Sequence, residues 1–174
     1  MKIAVFAASS VMEAYSRPVR KLGEILGKDG HTLIFGGCDN GLMHEIAEGF
    51  AQAKAEIIGV VPGFFGERPV HPGCSSVIRT VDLTDRKEKM IEMADAFLIL
   101  PGGVGTMDEL FTVLAKRTVG QCGKSVLLYN PDGYYDVFLQ ALEGMYLAGA
   151  VRESTAEILR SFQEPERVIE VLKL

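Results

Sequence analysis

Short apolar runs separated by amphipathic segments set the rhythm of this 174-residue chain. Lys2–Ala7, Thr32–Phe35, Ile57–Val61, Ala96–Leu100 and Ser125–Tyr129 are mostly continuous hydrophobic stretches without polar alternation. That pattern belongs to strands of a parallel sheet covered on both faces. Glu157–Phe162 is a weaker sixth candidate. Helices are predicted over Ala14–Lys28, Gly41–Ala53, Asp85–Ala94, Thr106–Val119, Tyr134–Ala148 and Glu164–Leu172. Alternating β and α elements predict a doubly wound α/β fold, a mostly parallel sheet with helices on both faces. Its length suits one domain spanning residues 1–174, and no repeat, low-complexity tract or linker interrupts it.

One segment breaks the rhythm. Pro62–Gly73 holds three prolines, three glycines and the hydrophobes Phe64, Phe65 and Val70. A loop this long is often functional, as a lid or part of a subunit contact. A plain surface excursion explains it equally well, and the sequence leaves both readings open.

Composition narrows the function. The chain is 48% hydrophobic and 24% charged, ordinary for a globular protein. Its net charge of −5 argues against a nucleic-acid surface, which carries a basic excess. The odd set Cys38, Cys74 and Cys122 contains no C-x-x-C pair, so a disulfide framework is not expected and a reducing cytoplasm is. The N-terminal run Met1–Phe6 is too short for a signal peptide, and no stretch is long enough to span a bilayer. A cytoplasmic location and no membrane partner are expected.

Chemistry concentrates at Pro101-Gly102-Gly103-Val104-Gly105-Thr106-Met107-Asp108-Glu109. The stretch follows a predicted strand and opens a predicted helix. Glycines bring backbone close to a ligand, and a helix N-terminus offers unpaired N–H groups at its positive end, so the turn is an anion cradle. Two more turns, Ala8-Ser9-Ser10 and Gly36–Gly41, also follow strands and should converge on the same sheet edge, where doubly wound folds bind ligands. Asp108 stands where G-x-G-x-x-G needs its third glycine, and no Lys-Ser/Thr pair follows, so dinucleotide and P-loop readings are weak.

Glu109 has two explanations. Thr106 through Glu109 has capping-box spacing, with Thr capping the helix and Glu bonding back. The helix dipole should also hold a carboxylate there ionised, suited to stabilising a cation or activating water rather than donating a proton. Asp85 and Glu88 share capping-box spacing, which places Arg86 and Lys87 in a first helical turn where the dipole disfavours cations. That placement hints that Arg86 faces an anion, as a positioning or neutralising group, since Arg is no general acid near neutrality. Cys38, His44, His71 and Cys74 match no standard zinc spacing, and no metal is expected. His31 is read as a helix end or strand start, and Met90 and Met93 as core filler.

The ordered motifs resemble those of the LOG family, the cytokinin riboside 5′-monophosphate phosphoribohydrolases, often labelled lysine decarboxylases. Pro101–Glu109 resembles its P-G-G-x-G-T-x-x-E signature. Ala8-Ser9-Ser10 is similar to its glycine-serine-serine turn, and Gly36-Gly37 with Gly41-Leu42-Met43 to its G-G-G-x-x-G-L-M-G turn. Asp85–Met90 resembles its R-K-x-x-M helix, and Asn130–Tyr135 its N-x-D-G-Y-Y segment.

The resemblance implies a Rossmann-like homodimer that hydrolyses the N-glycosidic bond of a nucleoside 5′-monophosphate such as AMP. Free base and ribose 5-phosphate are the implied products, and no cofactor is implied. It further implies a catalytic pair, Arg86 and Glu109. Implied substrate-binding residues are Ser9, Ser10, Gly37, Gly41, Met43, Lys87, Gly102, Gly103, Gly105 and Thr106. A nucleotide or phosphorylated-cofactor carrier is the alternative; retention of both Arg86 and Glu109 favours the enzyme. A decarboxylase would need a pyridoxal-phosphate lysine, and no lysine stands out.

The chain also departs from the family pattern. Ala8 replaces a glycine, the second turn has one glycine fewer, and 116–125 lacks the usual tryptophan, histidine and proline. His44 replaces the glycine after Leu-Met and is expected to crowd the pocket or alter base choice. The preferred base, the physiological purpose and assembly beyond a dimer are not legible in the sequence.

Overall fold

The computed structural model describes residues 1–66 and 69–173. In chain order its elements are β1 (Lys2–Phe6), α1 (Glu13–Lys28), β2 (Thr32–Phe35), α2 (Gly41–Gln52), β3 (Ile57–Pro62), β4 (Ser76–Thr80) and α3 (Leu83–Met93). There follow β5 (Ala96–Ile99), α4 (Val104–Thr118), β6 (Ser125–Tyr129), α5 (Asp136–Leu147), α6 (Thr155–Ile158), β7 (Arg160–Phe162) and α7 (Val168–Leu172). The strands form one sheet in the order β4-β3-β2-β1-β5-β6-β7, and every neighbouring pair is parallel.

Burial on both faces explains why the strands lack polar alternation. Successive side chains point to opposite faces. Ile3, Val5, Leu33, Phe35, Ala96 and Leu98 pack on one side against α1, α2 and α7. Ala4, Phe6, Ile34, Phe97 and Ile99 pack on the other against α3, α4, α5 and α6. Met90 is fully buried in that second core and Met93 packs against it, as expected of core filler. Leu22→Ala, in the α1 seam far from the sheet edge, is expected to cost about 2–5 kcal/mol by leaving a cavity. Urea denaturation would read it as a lowered midpoint without loss of ligand binding.

Two segments near the sheet edges differ in kind from the sequence expectation. β4 had no apolar run to betray it: it is an edge strand whose only buried residue is Thr80, with Ser76, Val77 and Arg79 exposed. Glu157–Phe162, expected as one strand, splits into the end of α6 and β7. Ser154 and Glu157 form a true capping box that starts a helical turn, so local hydrogen bonds win the first half of that segment.

Chain direction across the sheet reverses at β1, which lies between β2 and β5. In open α/β sheets such a switch point leaves a crevice beyond the carboxyl ends of the strands. Among the described residues, no helix is long and apolar enough to cross a membrane.

Candidate active site

The three polar turns do converge at this crevice. Ala8 donates its N–H to the Pro101 carbonyl (3.1 Å), and Met43 donates its N–H to the Ala8 carbonyl (3.2 Å). A cavity of about 380 Å³ opens there. Ser9, Ser10, Met43, Arg86, Lys87, Gly103, Gly105, Thr106 and Glu109 line it, all named from the sequence. Gly37, Gly41 and Gly102, also named from the sequence, are not among the lining residues. A side chain on Gly41 would strike the backbone of Ser9 and Ser10, and one on Gly102 would strike Thr106. These glycines allow the turns to close on one another.

α4 begins two residues earlier than expected. Its N-cap is Gly103, which has no side chain to bond the first N–H groups, so Thr106 is the third helical residue and Glu109 the sixth. The capping-box reading of Thr106 and Glu109 is therefore corrected. An uncapped N-terminus with Gly103 and Gly105 open toward the cavity suits an anion.

The expectation that the dipole keeps Glu109 ionised is corrected too. The dipole acts within the first turn, and Glu109 lies beyond it. Its side chain is 8% exposed. Burial pushes the carboxyl up to about 7, against the opposing pull of Arg86. A carboxyl with that affinity can hold or release a proton near neutrality.

α3 also starts earlier than expected. Asp82 is its N-cap, accepting the Asp85 N–H at 2.8 Å, so Asp85 is no cap and Arg86 is the fourth helical residue. Arg86 Nη2 lies 2.9 Å from Glu109 Oε1, with the guanidinium side chain 11% exposed. The anion Arg86 faces is Glu109 itself. Its Nε is buried without a protein partner among the described residues, a donor that a ligand oxygen can satisfy. Lys87 Nζ grips both carboxylate oxygens of Asp108 at 2.8 and 2.9 Å, so a bound anion would compete with Asp108 for it.

Gly36 supplies the space for this pair. A Cβ there would run into Arg86 Nη2 and approach Met43 Sδ at 3.2 Å. Gly36→Ala is expected to displace the guanidinium and lower turnover about 100-fold, the scale of a small misplacement at a reacting centre. Thermal melting should stay near the unsubstituted value, because the backbone at Gly36 is not left-handed.

The Asn130–Tyr135 segment, quoted from the sequence as a motif without a role, supplies several positioning groups. Tyr135 Oη donates to the Leu100 carbonyl (2.6 Å) and Tyr134 Oη to the Gly102 carbonyl (3.1 Å), bracing the glycine turn from behind. Asn130 Oδ1 in turn accepts the Tyr135 N–H at 2.6 Å. The Asn130–Tyr135 motif is thus a buttress, a role only tertiary contact reveals. Phe65, Leu83, Cys38 and Asp108 also line the cavity.

His44 does not crowd this cavity. It turns away to bond Asp39 (2.7 Å) and lies beside His71, with ring centroids 5.3 Å apart and the ring planes tilted at 56°. Asp39, His44 and His71 are the one metal-ligand-like cluster among the described residues, and neither Cys38 nor Cys74 joins it. The Gly73 N–H donates to His71 Nδ1 (3.1 Å), which leaves the proton of a neutral His71 on Nε2. That nitrogen is a donor, facing Glu48 Oε1 at 3.2 Å, rather than a ligand. The Pro62–Gly73 loop is pinned at its far end, where His71 N–H donates to Gly37 O (3.0 Å) and Val70 pairs with Cys38. Its near end carries Phe65 to the cavity. Glu67 and Arg68 lie outside the described residues.

Known proteins match this arrangement. Residues 43–172 match the family described as "Possible lysine decarboxylase". The cytokinin riboside 5′-monophosphate phosphoribohydrolase of Rhodococcoides fascians is 32% identical over 81% of this chain and 72% of its own. Its namesake LOG5 of Arabidopsis thaliana is 29% identical over 99% of this chain and 77% of its own. Two solved structures share the fold at a TM-score of 0.76. One is a molybdenum cofactor binding protein from Rippkaea orientalis, 20% identical over 99% of this chain and 94% of its own. The other is the molybdenum cofactor carrier protein from Chlamydomonas reinhardtii, 21% identical over 99% and 95%. With its signature turn, its Arg86–Glu109 pair and these relatives, the chain belongs to the LOG family of Rossmann-like α/β proteins.

Proposed function

We propose that this protein hydrolyses the N-glycosidic bond of a nucleoside 5′-monophosphate, releasing free base and ribose 5-phosphate. The observation that carries the reading is the buried Arg86–Glu109 pair beside the uncapped N-terminus of α4. The phosphate sits on the N–H groups from Gly103 to Thr106 with Ser9, Ser10 and Lys87 around it, and these contacts hold the ribose over Glu109. Departure of the base leaves an oxocarbenium-like sugar, which the Glu109 carboxylate stabilises while water is activated. Arg86 keeps that buried carboxylate ionised enough to act and binds substrate oxygen through Nε. Met43 closes the wall beside Arg86, while Gly37, Gly41 and Gly102 act through the shape of the turns.

The test is incubation with AMP and with isopentenyladenosine monophosphate, followed by assay for free base and ribose 5-phosphate. Release from either supports the hydrolase. Tight binding without release across a panel of nucleotides would instead favour a carrier, the activity named for the Chlamydomonas neighbour. The homodimer implied by the family has a candidate surface in exposed Phe111, Met145 and Leu147 on α4 and α5, and sedimentation velocity would read it.

A further inference from the structure

The cavity is chemically uneven along the sheet edge. Its glycine turns and serines follow β1 and β5. Its apolar wall, Phe65 with Leu83, comes from the turn after β3 and from the start of α3. Strand order puts β3 three steps from β5, a span of about 14 Å at ordinary strand spacing. Arg86 and Glu109 reach in from α3 and α4, with Arg86 packed over Gly36 at the end of β2. The Arg86–Glu109 pair therefore stands between an anion end and an apolar end. A phosphate, a ribose and a base in line fill that sequence, with the glycosidic bond at the pair.

We propose that Phe65 is the stacking platform for the base, making this end of the cavity selective for a flat aromatic leaving group such as a purine. The assignment rests on the hydrolase reading for the direction in which the nucleotide lies. Phe65 belongs to a short 3-10 turn, Gly63–Phe65, and its ring meets Phe64 edge-on at a centroid distance of 4.6 Å. Phe64 is 60% exposed, whereas Phe65 is half-buried and lines the cavity. An aromatic face accepts any base by stacking and adds no hydrogen-bond readout, so it rewards ring area over substituent pattern. Leu83 adds apolar surface beside it.

The experiment separates base from sugar phosphate. AMP and ribose 5-phosphate are titrated by calorimetry into Glu109→Gln protein, in which base release is expected to be slow enough for binding to be read, with and without Phe65→Ala. Phe65→Ala is expected to weaken AMP about tenfold, the usual worth of one base–aromatic stack, and to leave ribose 5-phosphate unchanged. Phe65→Tyr should restore AMP affinity. Because the chain contains no tryptophan, Phe65→Trp introduces a single tryptophan, whose emission can be excited selectively over that of the five tyrosines. AMP should quench it and ribose 5-phosphate should not.

Unchanged AMP affinity in Phe65→Ala overturns the assignment, as does an equal loss for both ligands or failure of AMP to bind the Glu109→Gln protein. Phe65-dependent AMP binding without base release from the unsubstituted protein would leave the platform standing and remove the hydrolase. Base release whose KM ignores Phe65→Ala would do the reverse.

Discussion

Glu109→Gln protein is expected to release base from AMP about 10³-fold more slowly than the unsubstituted protein, with AMP still bound. The amide keeps the size and most of the packing of a side chain that is 8% exposed, but it cannot carry the negative charge that faces the developing cation. Loss of a positioned acid or base group alone accounts for about 10²–10⁴ in rate. The pH profile identifies the group. Burial favours the neutral carboxyl and holds the transition near 7, so the ionised form is scarce at pH 6 and dominant at pH 8. Hydrolysis that needs the carboxylate therefore rises with pH through about 7 and then levels, and Glu109→Gln should remove that limb.

The same burial sets the sign of a stability effect. The folded protein takes up this proton more readily than the unfolded chain, so Glu109's contribution falls as pH rises from the ordinary carboxyl range to about 7. Melting temperatures followed across that window should fall less for Glu109→Gln. A steeper fall than in the unsubstituted protein would contradict the buried, proton-retaining carboxyl.

Arg86→Gln is the second large effect. Arg86 is the main influence pulling the Glu109 carboxyl down against burial, so without the guanidinium the activity limb moves to higher pH. Activity at pH 7 should drop about 100-fold or more, as the carboxylate becomes rarer and a positioned cation is lost. The protein should also lose stability at high pH, because an ionised Glu109 is then buried without its partner, a situation that costs about 3–5 kcal/mol. Arg86→Lys keeps a charge but replaces the planar fork with a point donor, so partial recovery is expected. Rate–pH profiles of the three proteins decide the matter: an unmoved limb in Arg86→Gln would mean that the ion pair does not govern Glu109.

Much of the architecture was legible along the chain. Parallel strands buried on both faces must be apolar at every position, and β1, β2, β3, β5 and β6 carry that mark openly. β4 and β7 do not, because edge strands bury little: Thr80 and Phe162 are their buried residues. Helix starts were misplaced for a related reason. Thr106 and Asp85 are good capping residues by type, but Gly103 and Asp82 hold the caps, since packing of α4 and α3 on the sheet sets where each helix begins.

The site divides in the same way. Local chemistry by itself pointed to an anion cradle in a glycine turn that follows a strand and opens a helix, and the ordered motifs brought Arg86 and Glu109 into one proposal. Only the tertiary structure decided what those two groups are to each other. Their 2.9 Å contact, the room left by Gly36 and the burial that lifts Glu109 to about 7 all depend on elements far apart in the chain. So does the position of Phe65 on the cavity wall and of His44 away from it. A residue's type and its immediate neighbours are written in sequence; the dielectric around it and the partners it meets arise only when the sheet brings distant turns to one edge.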